Sequence, residues 1–411
     1  MTMRRAAGFF LILLAALLLA AAGCTGTGQP PAPETIRVGI LFPLTGDLSY
    51  NGKDCTNGAL LAIEEINAAG GIASLGGAKL EPVIADTRSN AADGTNATRN
   101  LIQNDNVVAI VGAYQSSVVR PATQVAEEYE TPFIVSVGIA DVITERGFRY
   151  TFRVIPKAQY YGRDQGRFLL DLERMTGQPV RRVALLHENT DFGTSSALAQ
   201  KVALEKNGMV VATEVSYNPE KVTNLDTEIA RVLASRPDAI LEVTYAEDSI
   251  LIRQALRRSG STIPLIDTAG GTTLPEYTGR LGSAADGTFT SSEYSQYAPG
   301  GKEVNDRFRA RFGANITGDS AYTYQAVWVL ADALERAGKN DRGALRDALA
   351  KTDMPRGPHM ILPAERIRFD EDGQNEFATL FIVQVQNGDY LPVWPREYAT
   401  AVPRVEQGGG A

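Results

Sequence analysis

The sequence predicts an α/β protein of two lobes, each a doubly wound parallel sheet covered by helices. Three observations carry that expectation. From Ile36 onward, short β-branched runs alternate with amphipathic helical windows, the pattern of βα units that build a parallel sheet. The alternation runs its course twice, with YTFRVIP between the two series. The chain has 411 residues, and at about 150 residues per domain that suits two or three domains with ample cores.

In chain order, the first segment departs from the rest in composition. Arg4 and Arg5 precede an apolar run from Gly8 to Gly23, the basic and hydrophobic regions of an export signal. As a helix this run spans roughly 24 Å against a hydrocarbon core of roughly 30 Å, so a cleaved signal is favoured over a retained anchor helix. Ala21, Ala22 and Gly23 immediately before Cys24 resemble the lipobox of secreted lipoproteins, where the cysteine is lipidated and heads the mature chain. The plain alternative is cleavage nearby, with Cys24 an incidental thiol. Residues 1–23 are therefore read as a lipoprotein signal peptide and residues 24–34, Cys24 followed by TGTGQPPAPE, as a flexible tether.

The first series has strand runs IRVGILFPL, KLEPVIAD, VVAIVGA and PFIVSVG. Between the first two, Ala59, Ala62, Ile63 and Ile66 follow the spacing of one apolar helix stripe, which Gly70-Gly71 ends. The second series has VALLHE, MVVATEVSY, AILEVT and PLIDTAG, with Leu225, Ile229, Val232 and Leu233 on one helix face. A long helical window follows, with Val327, Leu330, Ala331 and Leu334 together. RIRFDEDGQ and FATLFIVQVQNGDYLPV then read as a meander of antiparallel strands separated by DEDG and QNGD turns. Residues 401–411, ending Gly-Gly-Gly-Ala, are expected to be disordered.

Composition and motifs exclude several functions. With 40 Lys and Arg against 48 Asp and Glu, a net charge of −8 and no basic block, the chain lacks the clustered cations that nucleic-acid phosphates need. No GxGxxG follows a strand, and GxxxxGK[ST], HExxH and GxSxG are absent. His187 and His359 are the only histidines, too little material for a metal site or histidine-driven catalysis, and no cofactor is expected. Glu64-Glu65 and Glu127-Glu128 are sequence neighbours that point in different directions, and are read as solvated faces. Cys55, at a helix start, is read as a small helix-facing residue rather than a reactive thiol.

Gly112-Ala113-Tyr114-Gln115-Ser116-Ser117 marks a strand end opening into a helix that carries Pro121 in its first turn. Unpaired N–H groups there, with a serine hydroxyl beside them, suit a ligand carboxylate. The competing reading is that Ser116 or Ser117 only caps its own helix.

Four segments resemble the type I periplasmic solute-binding proteins of branched-chain amino acid ABC transporters, the leucine/isoleucine/valine-binding group. They are RVGILFPLTGDLSYNGKDCTNGALLAIEEINAAGGI, VVAIVGAYQSSVVRPATQVAEEYETPFIVSVG, RVALLHENTDFGTSSA and AILEVTYAEDSILIRQALRRSG. The resemblance implies two lobes joined by a three-strand hinge, with residues 35–155 plus 290–362 in the first and 156–289 plus 363–400 in the second. Together with the lipobox reading of Cys24, it implies an exported monomer, lipid-anchored to the cell membrane, that closes on a small ligand and delivers it to an ABC permease, and it implies no enzyme activity.

Residue by residue, the resemblance implies that Ser116, beside Tyr114, touches the ligand, and that Tyr50 lines the cleft. Val137 and Ile139 serve through main-chain atoms only, since Ile139 replaces a family threonine. From the second lobe, Phe192 and Tyr245 stand at or near two family tyrosines, while Ala269 replaces the glutamate that pairs with the ligand ammonium. Asp267 or Glu247 is a candidate substitute. A buried ammonium without a partner is costly, so a carboxylate, urea or short amide lacking the amino group stands beside the amino acid as ligand. The family's cysteine pair has no counterpart, since Asn90 and Gln115 occupy those places. A ligand sensor on the same lobes and a small-amide hydrolase are the rival functions, the second requiring a base near Ser116 that the alignment does not supply.

Overall fold

The computed structural model describes residues 34–405 apart from Ala269 and Pro358. The export signal and Cys24 lie outside the described residues. β1 (Thr35–Phe42) is buried on both faces from Val38 onward, as a central parallel strand requires. It lies between β2 (Lys79–Asp86) and β3 (Ala109–Gly112); β4 (Phe133–Val135) and β5 (Thr151–Arg153) complete the order β2-β1-β3-β4-β5, every pair parallel. α1 (Ser49–Ala68) lays the Ala59, Ala62, Ile63 and Ile66 stripe on one face. α2 (Ala91–Gln103) and α3 (Ser116–Glu128) cover the other, setting Leu101, Val118 and Val119 against Leu41, Ile110 and Phe133. The helix stops after Ala68 where Gly70 and Gly71 take φ of 118° and 81°.

The chain then enters the second lobe through α4 (Ala158–Thr176) and alternates again: β6 (Arg182–Glu188), α5 (Asp191–Lys206), β7 (Val210–Tyr217), α6 (Asp226–Ala234), β8 (Ala239–Val243), α7 (Ala246–Arg258), β9 (Leu265–Asp267), α8 (Pro275–Leu281) and β10 (Phe289–Ser292). Ile229, Val232, Ile252 and Leu256 meet Ala184, Leu186 and Ile240 on one face of this sheet. After Ser292 the chain returns to the first lobe as α9 (Gly301–Phe312), α10 (Gly318–Ala337) and α11 (Arg342–Leu349). α10 runs along α1 so closely that a Cβ on Gly58 would stand 2.2 Å from the Ser320 carbonyl oxygen. Glycine is therefore required there by contact, not by backbone angle.

The C-terminal segment differs from a simple meander. β11 (Asp353–Pro355) pairs with β12 (Arg366–Arg368) as a separate two-stranded ribbon, and the DEDG turn folds the chain back so that Phe369 bridges Asn375. Only the second turn makes a hairpin: β13 (Phe381–Gln386) and β14 (Asp389–Trp394) flank Asn387-Gly388, both at positive φ, as a two-residue turn of this hand demands. β13 adds antiparallel to β10 and β14 adds antiparallel to β13, giving β14-β13-β10-β9-β8-β6-β7. The tail up to Val405 lies against this edge, where Gln384 accepts from the Arg404 N–H at 2.9 Å and Gln386 donates to the Val402 carbonyl at 2.9 Å. Long polar side chains on a buried strand thus order a stretch whose composition reads as tail.

Three crossovers join the lobes, at 154–157, 293–300 and 369–380. The first and third are stitched together by buried groups: Arg153 Nε donates to Gln374 Oε1 at 2.6 Å, and Asn375 Nδ2 donates to the Val154 carbonyl at 3.1 Å. Among the described residues no helix is long and apolar enough to cross a membrane.

Candidate ligand-binding site

A cavity lies between the lobes, with about 340 Å3 of space when that open at its mouth is counted. Its first-lobe wall is Tyr114, Ser116, Val137 and Ile139, and its second-lobe wall is Phe192, Tyr245, Thr268 and Gly270. Ile155, Tyr161, Glu293 and Asp319, from the crossovers and the elements beside them, close it.

The first-lobe wall is a set of donors. Gln115 is the residue before α3 and its side chain makes no cap; it donates instead to the Ser89 carbonyl at 2.9 Å. Ser116 does not cap the helix either, because its Oγ accepts the Ala140 N–H at 3.2 Å, which leaves its own O–H to donate. Pro121 falls in the second turn of α3, not the first. The loop after β4 is held from below by fully buried Arg153, whose Nη1 donates to the Ala140 carbonyl at 2.7 Å and whose Nη2 donates to Thr144 Oγ1 at 2.7 Å. The Ile139 carbonyl is taken by the Ala158 N–H at 2.9 Å. Main-chain service at Ile139 therefore falls to its N–H group, which, like the Val137 N–H, makes no backbone hydrogen bond among the described residues.

The second-lobe wall is aromatic. Phe192 and Tyr245 rings lie 5.4 Å apart, and Tyr245 reaches across to Tyr114 at 6.3 Å. Asn51 donates to the Tyr114 hydroxyl at 2.7 Å. Local backbone economy makes the wall: a Cβ on Gly270 would stand 2.6 Å from the Thr244 carbonyl and 3.3 Å from the Phe192 ring.

Six of the eight residues expected from the sequence thus share one cavity. Tyr50 and Asp267 do not line it. Tyr50 stands half-exposed at the rim, its phenol pushed up by partial burial and then by Asp54 and by Glu276 of the opposite lobe. Asp267 is fully buried behind the wall, where its Oδ2 accepts from Thr272 Oγ1 at 2.8 Å and from the Thr272 N–H at 3.2 Å. Burial raises its pKa, against the lowering effect of those bonds. Glu247 is exposed and pairs with Arg280. Ala269 lies outside the described residues.

The sequence reading missed Glu293 and Asp319. Both are buried, and both carboxyls are pushed up, first by burial and then by a neighbouring carboxylate: Asp319 acts on Glu293, and Asp54 acts on Asp319. Tyr161 donates to Glu293, and the Tyr114 hydroxyl partly offsets the raised pKa of Asp319. Asp319 follows Gly318 at the start of α10, whose Thr317 cap donates to Asp54 Oδ2 at 2.6 Å. From sequence, Asp319 reads as an ordinary first-turn acid and Glu293 as a loop acid.

Groups set aside on sequence grounds find structural roles. Cys55 is buried with its thiol pushed well up by burial and nearby Asp319. His187 Nδ1 lies 2.8 Å from the Glu188 carbonyl, and His359 stacks on Trp328 at 3.6 Å. Glu65 and Glu127 do more than face solvent: Glu65 binds Arg307 at 2.6 Å and the Tyr324 hydroxyl at 2.7 Å, and Glu127 accepts the Arg149 and Tyr150 N–H groups at 2.8 Å each.

A family model described as periplasmic binding protein matches residues 35–389. The chain belongs to that family. It is a family of binding proteins, not of enzymes. Among curated relatives, Leu/Ile/Val-binding protein homolog 8 of Brucella abortus is 28% identical over 387 residues, covering 90% of this chain and 93% of the relative. Homolog 7 of Brucella melitensis is 27% identical, covering 92% and 96%. Among solved structures, the leucine binding protein LivK of Thermotoga maritima superposes with a TM-score of 0.77 at 23% identity, covering 87% of this chain and 97% of that one. LivJ of Streptococcus pneumoniae in complex with isoleucine gives 0.75 at 24%, covering 87% and 98%. These likenesses establish the fold as that of a type I periplasmic binding protein, which is the fold its motifs imply.

Proposed function

We propose that this periplasmic binding protein captures a branched-chain amino acid, or a closely related small carboxylate, outside the cytoplasm by hinge closure and delivers it to an ABC permease. One observation carries the reading. Residues from both lobes meet on a single cavity whose first-lobe wall presents free donors, the Ser116 hydroxyl and the start of α3, to an anion, while the facing wall is aromatic. The names of the relatives support it, since the Brucella proteins are named for Leu, Ile and Val and the pneumococcal protein holds isoleucine. Contacts across the cleft are consistent with a closed form: Arg120 pairs with Asp191 at 3.5 Å, and the Asp141 N–H donates to Ser195 Oγ at 3.0 Å.

The direct test is thermal unfolding of the purified protein, stripped of solute, against leucine, isoleucine, valine and a panel of other carboxylates, amides and ureas. A ligand at 100 times its dissociation constant adds about 2.7 kcal/mol and raises the midpoint by a few degrees. A rise with the three amino acids supports the reading; a rise only with ureas or amides refutes it. The lipid tether is part of the same proposal. Cys24→Ser is expected to release the protein from membranes, and a variant that stays membrane-bound contradicts lipidation at that cysteine.

A further inference from the structure

We infer that Glu293 and Asp319 form the cation-binding end of the cavity, so that the ligand must carry a protonated amine opposite the carboxylate held at Ser116. The inference rests on the reading of this cavity as the ligand site and names the chemistry of its far end. Three observations carry it. Both carboxyls line the cavity, and both residues are at least nine-tenths buried, Glu293 at 1% and Asp319 at 5% exposure. They arrive from different elements, Glu293 from the crossover after β10 and Asp319 from the first turn of α10, so they converge on this point only when the chain has passed from one lobe to the other. Among the described residues no lysine, arginine or histidine lines the cavity.

Buried carboxylates are ordinarily paired. The groups that face this pair offer no cation. From α1 comes Asp54, with Cys55 beside it; α4 supplies the Tyr161 hydroxyl, α10 supplies Tyr322, and the turns before α3 and α7 supply Tyr114 and Tyr245. Behind the wall stands Asp267, another acid. Hydroxyls can each donate one hydrogen bond but cannot neutralise a charge. An ammonium group supplies three donors and a full positive charge, which matches two acceptor carboxylates and no cation. The same geometry removes the need for an acid at Ala269, Asp267 or Glu247, because the counter-charge comes from the crossover side of the cavity rather than from the second-lobe loops.

A neutral amide or urea gains no such charge pairing, and a simple carboxylic acid would place its apolar end against two carboxyls. The cavity therefore selects against ligands that lack the amine, while the length and branching of the carbon chain are read by Phe192, Tyr245 and Ile155.

The test compares leucine with 4-methylpentanoate, the same molecule without its amine, by isothermal titration calorimetry on the wild-type protein and on Glu293→Gln and Asp319→Asn. In the wild type, leucine is expected to bind at least roughly 30-fold more tightly than 4-methylpentanoate, the low end of the cost of leaving a buried charge unpaired. Each variant is expected to lose a comparable factor for leucine and to narrow the gap between the two ligands. Equal affinities in the wild type overturn the inference without any variant, so misfolding of a variant does not shield it. Variants that keep wild-type leucine affinity also overturn it, and leave the branched-chain reading intact. A different amine-bearing amino acid that binds in a Glu293-dependent way supports the inference while defeating the branched-chain reading.

Discussion

The two ends of the interlobe cavity are built from opposite chemistry. At the first-lobe end, donors converge: the Ser116 hydroxyl, the opening of α3 and the N–H groups of the loop that Arg153 holds. At the crossover end, acceptors converge in Glu293 and Asp319, with the aromatic wall of Phe192 and Tyr245 running between. The donor end is made by one local stretch of chain, a strand turning into a helix. The acceptor end is made by residues distant in sequence that meet only in the folded molecule. A site polarised in this way fixes the orientation of a zwitterion before its side chain is read, and it uses burial to make each end selective.

The comparison breaks most severely if the wall between the two ends is removed. Phe192→Ala should lower unfolding stability or ligand affinity by about 3–5 kcal/mol, the cost of truncating a buried aromatic, measured by denaturant titration with and without leucine. An effect below about 1 kcal/mol in both would mean that the ring neither packs nor contacts ligand. At the donor end, Ser116→Ala should weaken leucine binding by about 1.5–3 kcal/mol, the range for hydrogen bonds to charged groups, with stability nearly unchanged. Unaltered affinity would take the carboxylate away from this end.

The acid end gives a pH signature in the ligand-free protein. A carboxyl whose pKa in the folded state lies above its unfolded value stabilises the fold while protonated, and that contribution is lost as pH rises through the folded value. Glu293 and Asp319 are raised by burial, and burial pushes Asp54 beside them up to about 6. The midpoint of the ligand-free protein should therefore fall as pH rises from the ordinary carboxylate range to neutrality, and Asp54→Asn should flatten the decline. A midpoint that climbs over this range would mean that these acids are not raised above their unfolded values in the folded protein. The smallest expected effect is at the rim. Arg120 and Asp191 are about one-half and one-third exposed, so Arg120→Ala should change leucine affinity by no more than about 1 kcal/mol. A larger loss would make this ion pair a main element of closure.

How much was legible in the sequence follows the same division. Strands and helices were readable because their apolar spacing is local, as in the Ala59 to Ile66 stripe and the Asn387-Gly388 hairpin. The donor end was readable for the same reason, since Tyr114 to Ser117 carries its own strand-to-helix signal. Pairing between distant segments was not: β12 has the look of a meander strand, yet it pairs with β11, and the stretch up to Val405 is held by Gln384 and Gln386. The acid end belongs to this second class. The family motif points to Ala269 and its neighbours Asp267 and Glu247, but Asp267 is buried behind the wall with its Oδ2 bonded to Thr272, and Glu247 is exposed and paired with Arg280. Glu293 and Asp319 carry no sequence signal, because what sets them apart is burial in a shared cavity.

The most direct measurement of the polarised cavity is the number of protons exchanged when leucine binds, obtained from calorimetric titrations near neutral pH in two buffers of different ionisation enthalpy. Burial holds the Glu293 and Asp319 pair partly protonated in the empty site. The ligand's own ammonium keeps its proton, so protons must leave the protein when that charge arrives. Net release, with affinity rising as pH increases, is the predicted result. No exchange, or net uptake with affinity falling as pH increases, would mean that leucine does not place its ammonium between these two carboxylates.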